Sequence, residues 1–330
     1  MKNMKYSGIG GQAVIEGVMM RNGDEYAVAV RKPDHEIDVR KQKVTGPGVN
    51  HWSRKIPIIR GMVSFADSLV LGMRALSVSS EYYEDEDDKA SANDKKPKNE
   101  KSEKLENTII LIVSFVLAIG IFMVIPFLLS LLFKRFGFND TLITLIEGLI
   151  RVLIFLAYMF FISFIEDIKR TYMYHGAEHK CINCIESGKD LTVDNVMRSS
   201  KEHRRCGTSF IFFVLLISII FCMFIRVKTW WLRLVIRLLI IPIIAGVSYE
   251  FIQWAGNSDS KIAYYLSKPG LWMQGLTTKE PERDMVEVAI QSVEHVFDWR
   301  AYLEDMRKEA KGEGCCSSGS ESYEVKNKGI

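Results

Sequence analysis

"TIILIVSFVLAIGIFMVIPFLLSLLF", residues 108–133, carries no charged side chain from its first position to its last. A helix needs roughly 20 apolar residues to cross the hydrocarbon core of a bilayer, which is about 30 Å thick. A helix of a soluble protein is rarely apolar on every face over such a length, because one face meets water. The stretch therefore predicts a membrane-spanning helix, and it decides the fold class of the chain.

Further apolar runs repeat this signal with at most two charges each, at residues 142–165, 210–225 and 234–254. The charges are Glu147 and Arg151 in the first of these runs, four positions apart and therefore predicted to pair within one helix, and Arg237 and Glu250 in the last. We therefore predict a mainly α fold built on a four-helix transmembrane bundle. An even number of crossings places both termini on the same side of the membrane.

Lysine and arginine are distributed unequally between the two sides of this bundle. The connection after the first run carries only Lys134 and Arg135, whereas residues 84–106 are rich in lysine and the loop 166–208 is rich in both residue types. Short loops that stay in the cytoplasm carry such an excess. We therefore expect a multipass protein of the cytoplasmic membrane with both termini in the reducing cytoplasm, where free thiols persist.

Composition excludes several other classes. The formal net charge of +3 and the lack of a basic stripe with interleaved aromatic residues argue against a nucleic-acid partner. Six cysteines in a chain of 330 residues do not form a secreted disulfide framework. The first residues, "MKNMKYSGIGGQ", lack the apolar region of a signal peptide, so membrane insertion would use internal segments.

Residues 1–83 are predicted to form a small cytoplasmic α+β segment. "EYAVAVRK" (25–32) and "HEIDVRKQKV" (35–44) are typical of two short strands, with Pro33 and Asp34 in the turn between them. The glycines of "GIGGQAVIEGVMM" favour a tight turn rather than a phosphate loop, because no Gly-Lys-Ser/Thr follows.

Residues 56–80 have the periodicity of a helix. Arg60, Asp67 and Arg74 recur every seven residues on one face, among Met, Leu and Val. This pattern predicts an amphipathic helix that lies in the membrane interface or packs on the bundle.

The remaining segments follow from composition. Residues 84–106 are almost wholly polar and charged, which predicts a disordered linker before the membrane domain of residues 107–255. Residues 256–311 are predicted to be a cytoplasmic helical segment that contains a charged amphipathic helix, and residues 312–330 a disordered tail.

The loop 166–208 contains "HGAEH" at 175–179. On a helix that continues from the second run, His175 and His179 lie one turn apart on the same face, with Glu178 beside them. His-x-x-Glu-His is the spacing of inverted zincins. Two imidazoles can hold Zn²⁺ while the glutamate takes a proton from water, which requires a third ligand and an open fourth position.

Two residues are candidates for the third ligand. His203 lies directly before the third apolar run, and Glu250 lies near the end of the fourth. An acidic side chain in such a run is a functional candidate, although Glu250 could equally form an ion pair with Arg170 or Arg205.

A competing arrangement uses part of the same set. The spacing Cys181-x-x-Cys184 with His203-x-x-Cys206 matches a closed structural zinc knuckle. A third alternative is that the histidines bind no metal and the cysteines are small buried residues. Spacing alone leaves these alternatives open.

Several blocks together resemble the YqhQ-like family of bacterial membrane proteins, which are described as predicted metal-dependent enzymes. These blocks are "GGQAVIEGVMMR" (10–21), "RGMVSFADSL" (60–69), "YHGAEHK" (174–180), "RCGTSF" (205–210), "SYE" (248–250) and "PGLWMQGLTT" (269–278). The resemblance covers nearly the whole chain and implies a site that draws on His175, Glu178, His179, His203, Cys206 and Glu250, supported by Arg205, Gln12 and Glu16.

Two features qualify the resemblance. The family usually has proline where this chain has Arg204, which affects how His203 is presented. Cys181 and Cys184 are not part of the family pattern, which weakens the knuckle hypothesis.

The sequence thus favours a metal-dependent hydrolase at the cytoplasmic face of a bacterial membrane, with His175, His179 and either His203 or Glu250 binding a divalent metal such as zinc. Glu178 would be the general base, and a membrane-embedded peptide or a lipid-linked group the substrate. The alternative is a non-enzymatic membrane scaffold or assembly factor in which the cluster is a structural metal site or a polar network.

Overall fold

The computed structural model of the protein describes residues 6–44, 55–91, 100–225, 227, 229–258 and 260–310. Within these residues the chain is mainly helical, with a small antiparallel sheet at its N-terminal end. The predicted α fold with an N-terminal β segment is confirmed at this level. The predicted tail 312–330 lies outside the described residues.

The sheet is a four-stranded antiparallel meander. Its strands are β1 (Ile9–Val14), β2 (Gly17–Asn22), β3 (Glu25–Arg31) and β4 (Ile37–Lys43), paired in that order. The two predicted strands are β3 and β4. The segment that we expected to be a tight turn forms instead the β1–β2 hairpin, which turns at Glu16 with φ 47°.

Helices make up most of the remaining chain. They are α1 (Ile59–Ser91), α2 (Glu100–Ile119), α3 (Ile125–Leu132), α4 (Asp140–Ile162), α5 (Glu166–Glu186), α6 (Val193–Met197), α7 (Gly207–Phe224), α8 (Trp230–Asn257), α9 (Lys261–Thr277), α10 (Arg283–Val296) and α11 (Trp299–Ala310). A π-helical turn at Gly120–Val124 joins α2 to α3. Of the predicted linker 84–106, residues 84–91 and 100–106 are helical and 92–99 lie outside the described residues.

Both faces of the sheet are buried, which explains why "YAVAV" in β3 is apolar at every position. Ala27 and Ala29 of β3 join a core formed with α5 and α10. The alternate residues of β3 (Tyr26, Val28 and Val30) join a second core with Leu71 and Ala75 of α1. Because side chains alternate along a strand, the sheet lies as a middle layer between α1 and the α5–α10 pair.

Among the residues that the structure describes, five helices are long and apolar enough to cross a membrane, at Ile59–Tyr83, Thr108–Phe136, Asp140–Ile162, Gly207–Phe224 and Trp231–Gly256. The prediction of four is therefore corrected to five candidates. The additional helix is α1, which we predicted to be amphipathic from Arg60, Asp67 and Arg74. The residues between these charges are apolar enough for α1 to be a candidate membrane-spanning helix.

The second apolar run does not continue as one helix into the His-x-x-Glu-His segment, contrary to our expectation. α4 ends at Ile162, and the Ser163 hydroxyl donates to the Phe160 carbonyl oxygen at 2.7 Å. Ile165 is extended at the N-cap of α5. Neither glycine nor proline marks this break, so periodicity could not reveal it. The break lets α5 leave the axis of α4 and pack on the sheet.

A buried charge cluster lies among the apolar helices. Arg151 donates to Glu147 at 2.9 Å, which confirms the predicted pair within α4. Arg237 of α8 donates to the same carboxylate oxygen. Arg151 Nε also donates, at 3.0 Å, to the Phe122 carbonyl oxygen, which Pro126 four residues later cannot bond. The Glu147 carboxylate thereby links α4 to α8, and Arg151 links α4 to the turn between α2 and α3.

α1 and α8 cross at two glycines. A methyl group added at Gly61 would lie 2.8 Å from the Gly246 carbonyl oxygen, and one added at Gly246 would lie 2.5 Å from the Ile58 carbonyl oxygen. Small residues at a crossing let two backbones approach closely.

We predict that Gly246→Ala lowers the free energy of unfolding by about 1–3 kcal/mol, because the new methyl group must displace backbone. Gly275→Ala is the matched control, since a methyl group there would meet nothing within 4 Å. The control should be neutral or gain up to about 1 kcal/mol from helix propensity. Apparent melting temperatures in detergent measure both variants, and equal shifts would contradict the close crossing.

Candidate metal centre

α5 carries the His-x-x-Glu-His segment on its buried side. The His175 and His179 rings lie one turn apart, as predicted, with ring centroids separated by 4.4 Å. Their side chains are 13% and 2% exposed, respectively. The helix is held in place because Tyr174, Ala177 and neighbouring side chains of its other faces belong to the core shared with the sheet and α10.

Backbone carbonyl groups orient both imidazoles. His175 Nδ1 lies 2.9 Å from the Thr277 carbonyl oxygen, and His179 Nδ1 lies 2.6 Å from the Lys201 carbonyl oxygen. A carbonyl oxygen only accepts, so each Nδ1 carries the proton and donates. In the neutral rings each Nε2 then carries a lone pair that faces inward. This is the arrangement by which proteins prepare histidines for a metal ion.

The third inward-facing donor atom is the sulfur of Cys206. Cys206 Sγ lies 3.3 Å from His175 Nε2, and one ligand atom from each of His175, His179 and Cys206 lies within 4.8 Å of the others. Cys206 is the N-cap of α7, and the Thr208 backbone N–H donates to its sulfur at 3.4 Å. A helix N-terminus favours the thiolate, which is the form that binds metal ions.

Glu178 completes the group from the side of α5. Its Oε2 lies 3.5 Å from His179 Nε2 and 3.9 Å from His175 Nε2. A methyl group added at Gly11 of β1 would lie 2.7 Å from Glu178 Cγ. The glycine therefore lets the strand cover this carboxylate, which is 5% exposed.

Electrostatics in this group favour a positive charge at its centre. Burial alone would lower the pKa of His179, but Cys206 and Glu178 outweigh it and raise the pKa to about 9. Burial likewise opposes charge on His175, yet Cys206 beside it holds the pKa of His175 above its ordinary value. Burial would raise the pKa of the Cys206 thiol, but the two imidazoles hold it well below the ordinary value. Protons or a metal cation could supply that positive charge.

Side chains of α5 and α9 hold the segment that leads to Cys206. Lys180 donates to the Met197 and Ser199 carbonyl oxygens at 2.8 and 3.1 Å. From α9, the Gln274 side chain accepts from the His203 N–H at 2.9 Å and donates to the His203 carbonyl oxygen at 2.6 Å. The position of the sulfur is therefore set by three separate elements of the fold.

The two predicted third ligands lie elsewhere. The His203 ring is near, with its centroid 5.7 Å from that of His179, but its Nε2 faces Glu186 Oε2 at 3.7 Å. Glu250 accepts from Arg60 Nε at 2.7 Å and from the Ile58 N–H at 3.2 Å. The structure does not bring Glu250 to the histidines, and its partner is Arg60 rather than Arg170 or Arg205.

The supporting residues occupy the surroundings of the group. Arg205 pairs with Glu186 at 2.6 Å and lies 3.4 Å from His203 Nε2. Glu16 pairs with Arg170 and accepts from the Tyr174 hydroxyl at 3.3 Å, so it contacts the helix that carries the histidines without reaching them.

Gln12 faces away from the histidines. A methyl group added at Gly72 of α1 would lie 2.5 Å from Gln12 Oε1. The Gln12 side chain therefore contacts α1 and not the helix that carries the histidines, although the resemblance implied that Gln12 and Glu16 both support the site.

The zinc-knuckle arrangement does not form in the described residues. Cys181 and Cys184 are buried in the core shared with the sheet and α10. Cys184 Sγ faces the Asp190 carbonyl oxygen at 3.5 Å, and burial raises the pKa of both thiols. They are small apolar core residues, as one of the sequence alternatives proposed.

The sequence analysis named Cys206 as a site residue and as a ligand of the zinc knuckle, but not as the third ligand beside His175 and His179, and it missed the role of Gly176. A methyl group on Gly176 would overlap the Lys279 carbonyl oxygen, so only glycine lets residues 277–281 cross α5 and reach His175. A cysteine immediately before an apolar helix, downstream of the histidine pair, was the one available signal.

Comparison with known proteins agrees with the resemblance of several sequence blocks to the YqhQ-like family. Residues 56–299 match the model of a family described as "Protein of unknown function (DUF1385)". The chain belongs to this family. It is also 36% identical over 304 residues to "Uncharacterized protein YqhQ" of Bacillus subtilis (strain 168), covering 91% of this chain and 95% of that protein. No solved structure matches the chain.

We predict that Gly176→Ala opens the site, because the methyl group must push the Thr277 carbonyl away from His175. Alkylation of Cys206, which is 4% exposed, should become faster, and peptide mapping by mass spectrometry separates it from the other cysteines. Gly207→Ala, next to Cys206 but with nothing within 4 Å of the new methyl group, should react like the wild type. Unchanged Cys206 labelling in Gly176→Ala would contradict this packing.

Proposed function

We propose that this protein is a membrane-anchored metal-dependent hydrolase whose metal is held by His175, His179 and Cys206. The observation that carries the proposal is the convergence of two Nε2 lone pairs and one sulfur, with both Nδ1 atoms committed to backbone carbonyl oxygens. Cys206 replaces His203 and Glu250 as the third ligand in this proposal. Neither the His203 imidazole nor the Glu250 carboxylate faces the Nε2 atoms of His175 and His179.

The donor set fits zinc. Zinc sites in proteins use imidazole nitrogen and thiolate sulfur, and catalytic sites have three protein ligands with one open position. Such a metal ion lowers the pKa of water and polarises a carbonyl or phosphoryl oxygen. The three side chains here satisfy that requirement without a fourth ligand.

Glu178 is the proposed general base. Its carboxylate lies within 4 Å of both Nε2 atoms, close enough to accept a proton from water at the centre and to return it to a leaving group. Glu178 is not needed as a ligand if three other donors hold the metal.

The substrate is proposed to be membrane-embedded, either a peptide or a lipid-linked group. Cys206 directly precedes α7, one of the helices apolar enough to span a bilayer. A site at the first turn of such a helix lies at the level of lipid headgroups.

We further propose that four of the five apolar helices cross the membrane and that α1 does not. The sheet and α5 share one core, so an even number of crossings must separate them in the chain. Three apolar helices lie between them: α1, the α2–α3 helix and α4. The second half of α1 packs on the sheet through Leu71, Ala75 and Val78, which supports a position for this helix at the interface. The excess of Lys and Arg then puts the site and both termini in the cytoplasm of a bacterial cell.

A structural metal in a non-enzymatic scaffold is the second candidate. The observation that favours it is burial, because Cys206 is 4% exposed and the Glu178 side chain 5%. If Glu178 were a fourth ligand, the metal would have no open position and could not act on a substrate.

We predict that the detergent-purified chain contains about one zinc or similar divalent ion per polypeptide. His175→Ala with His179→Ala, and separately Cys206→Ser, should lower the metal content by roughly tenfold or more, since outer-shell changes alone can have that effect. Elemental analysis by mass spectrometry measures it. Glu250→Gln is the control and should retain the metal. A metal-free wild type, or full metal in the double histidine variant, would refute the metal centre.

Glu178→Gln separates the two candidate functions. For a general base, the variant retains its metal and loses about 10²–10⁴-fold in hydrolysis of p-nitrophenyl acetate, a small activated ester. For a fourth ligand in a scaffold, the metal itself is lost and the wild type shows no hydrolysis above buffer. Metal content and rate are measured on the same preparation.

A further inference from the structure

α9 has two faces with opposite environments. Its buried residues recur every three or four positions as one stripe of Ala263, Ser267, Gly270, Met273, Gln274 and Thr277. The opposite face exposes large apolar side chains: Ile262 is 68% exposed, Tyr265 63% and Trp272 60%. A contiguous exposed patch of this kind marks an interaction surface.

The place of α9 beside α7 indicates what covers this face. The Ser209 hydroxyl donates to the Gly270 carbonyl oxygen at 3.0 Å, and a methyl group added at Gly270 would lie 2.9 Å from Phe213 Cε2. Phe213 follows Gly207, the first residue of α7, by six positions, which is about 9 Å along a helix. α9 therefore packs on the first two turns of an apolar helix. Interfacial helices insert their apolar face to a depth of about 5–10 Å.

The chemistry of the exposed face suits a lipid surface better than a protein partner. Lys268 Nζ lies 4.7 Å from the ring centroid of Tyr265 and 5.3 Å from that of Tyr264, and the Arg204 guanidinium lies 5.4 Å from the Tyr264 centroid. Tyrosine, tryptophan and basic side chains with apolar stems are enriched at the level of lipid headgroups. Trp254 near the end of α8, another of the apolar helices, is also exposed.

We propose that α9 lies in the plane of the bilayer as an interfacial helix, with Ile262, Tyr265 and Trp272 inserted in the phospholipid leaflet. Lys268 and Arg204 then lie among the lipid phosphates. The buried face of the same helix provides the Thr277 carbonyl to His175 and the Gln274 clamp on His203. A helix docked on lipid thereby holds two supports of the candidate metal centre. The proposal rests on the membrane part of the proposed function and not on the metal.

Fluorescence of Trp272 tests this proposal in the full chain reconstituted into phosphatidylcholine–phosphatidylglycerol vesicles. The emission of the wild type minus that of Trp272→Phe isolates this residue. We expect lipids brominated near the headgroup end of the acyl chain to quench most of it, and lipids brominated near the chain terminus to quench it less. Aqueous iodide should have little effect. Trp299, which is 7% exposed in the core shared with the sheet, is the matched control and should respond to neither quencher.

Two results would overturn the proposal. Strong quenching by iodide without quenching by brominated lipid would show that the face is in water. Insensitivity to both quenchers would show that protein covers it, either another chain or a second copy. Metal content measured on the same vesicles keeps the two proposals separate, because bromolipid quenching without bound metal would refute only the metal centre.

Discussion

Two imidazole nitrogens and one sulfur converge in this protein, with His175 Nε2 3.3 Å from Cys206 Sγ. Backbone carbonyl groups of Thr277 and Lys201 take the only proton of each neutral ring, so the inward atoms are left with lone pairs. Converging lone pairs in a buried site are unfavourable unless a cation lies among them. The raised pKa of His179 and the lowered pKa of Cys206 likewise reflect surroundings that favour positive charge at this centre. The packing of the surrounding segments serves to maintain this arrangement.

The site lies at the junction of two bodies of the fold. His175 and His179 belong to α5, which packs with the sheet and α10, whereas Cys206 begins α7 among the apolar helices. Neither body contains the full set of donors. The segments that cross the junction are therefore fixed by unusually close contacts, such as the carbonyl of Lys279 against Gly176. A site of this construction forms only when the core of the sheet, α5 and α10 and the helices that follow α5 are docked together.

The shared core also constrains the membrane topology. By length and hydropathy alone, five of the described helices could cross a membrane. These two properties carry no information about what a helix packs against. α1 contacts the sheet with one face and exposes Leu69 and Met73 on another. This is the distribution expected of a helix at the lipid boundary. α9 likewise has a buried stripe and exposes large apolar side chains elsewhere on its surface. Length and composition cannot distinguish such a helix from one that crosses the membrane. The number of crossings between the sheet and α5 can, because these elements share one core and that number must be even.

The sequence by itself determined the features that depend on neighbours along the chain. The charge-free runs and the strands β3 and β4 follow from local composition, and the Glu147–Arg151 pair and the juxtaposition of His175 with His179 follow from the helical period of about four residues. Only the tertiary structure decided the rest: that Cys206 rather than His203 or Glu250 faces the histidines, and that Arg60 holds Glu250. These contacts join residues that are about 30 to 190 positions apart. No local sequence pattern indicates which distant residues come into contact in the folded chain.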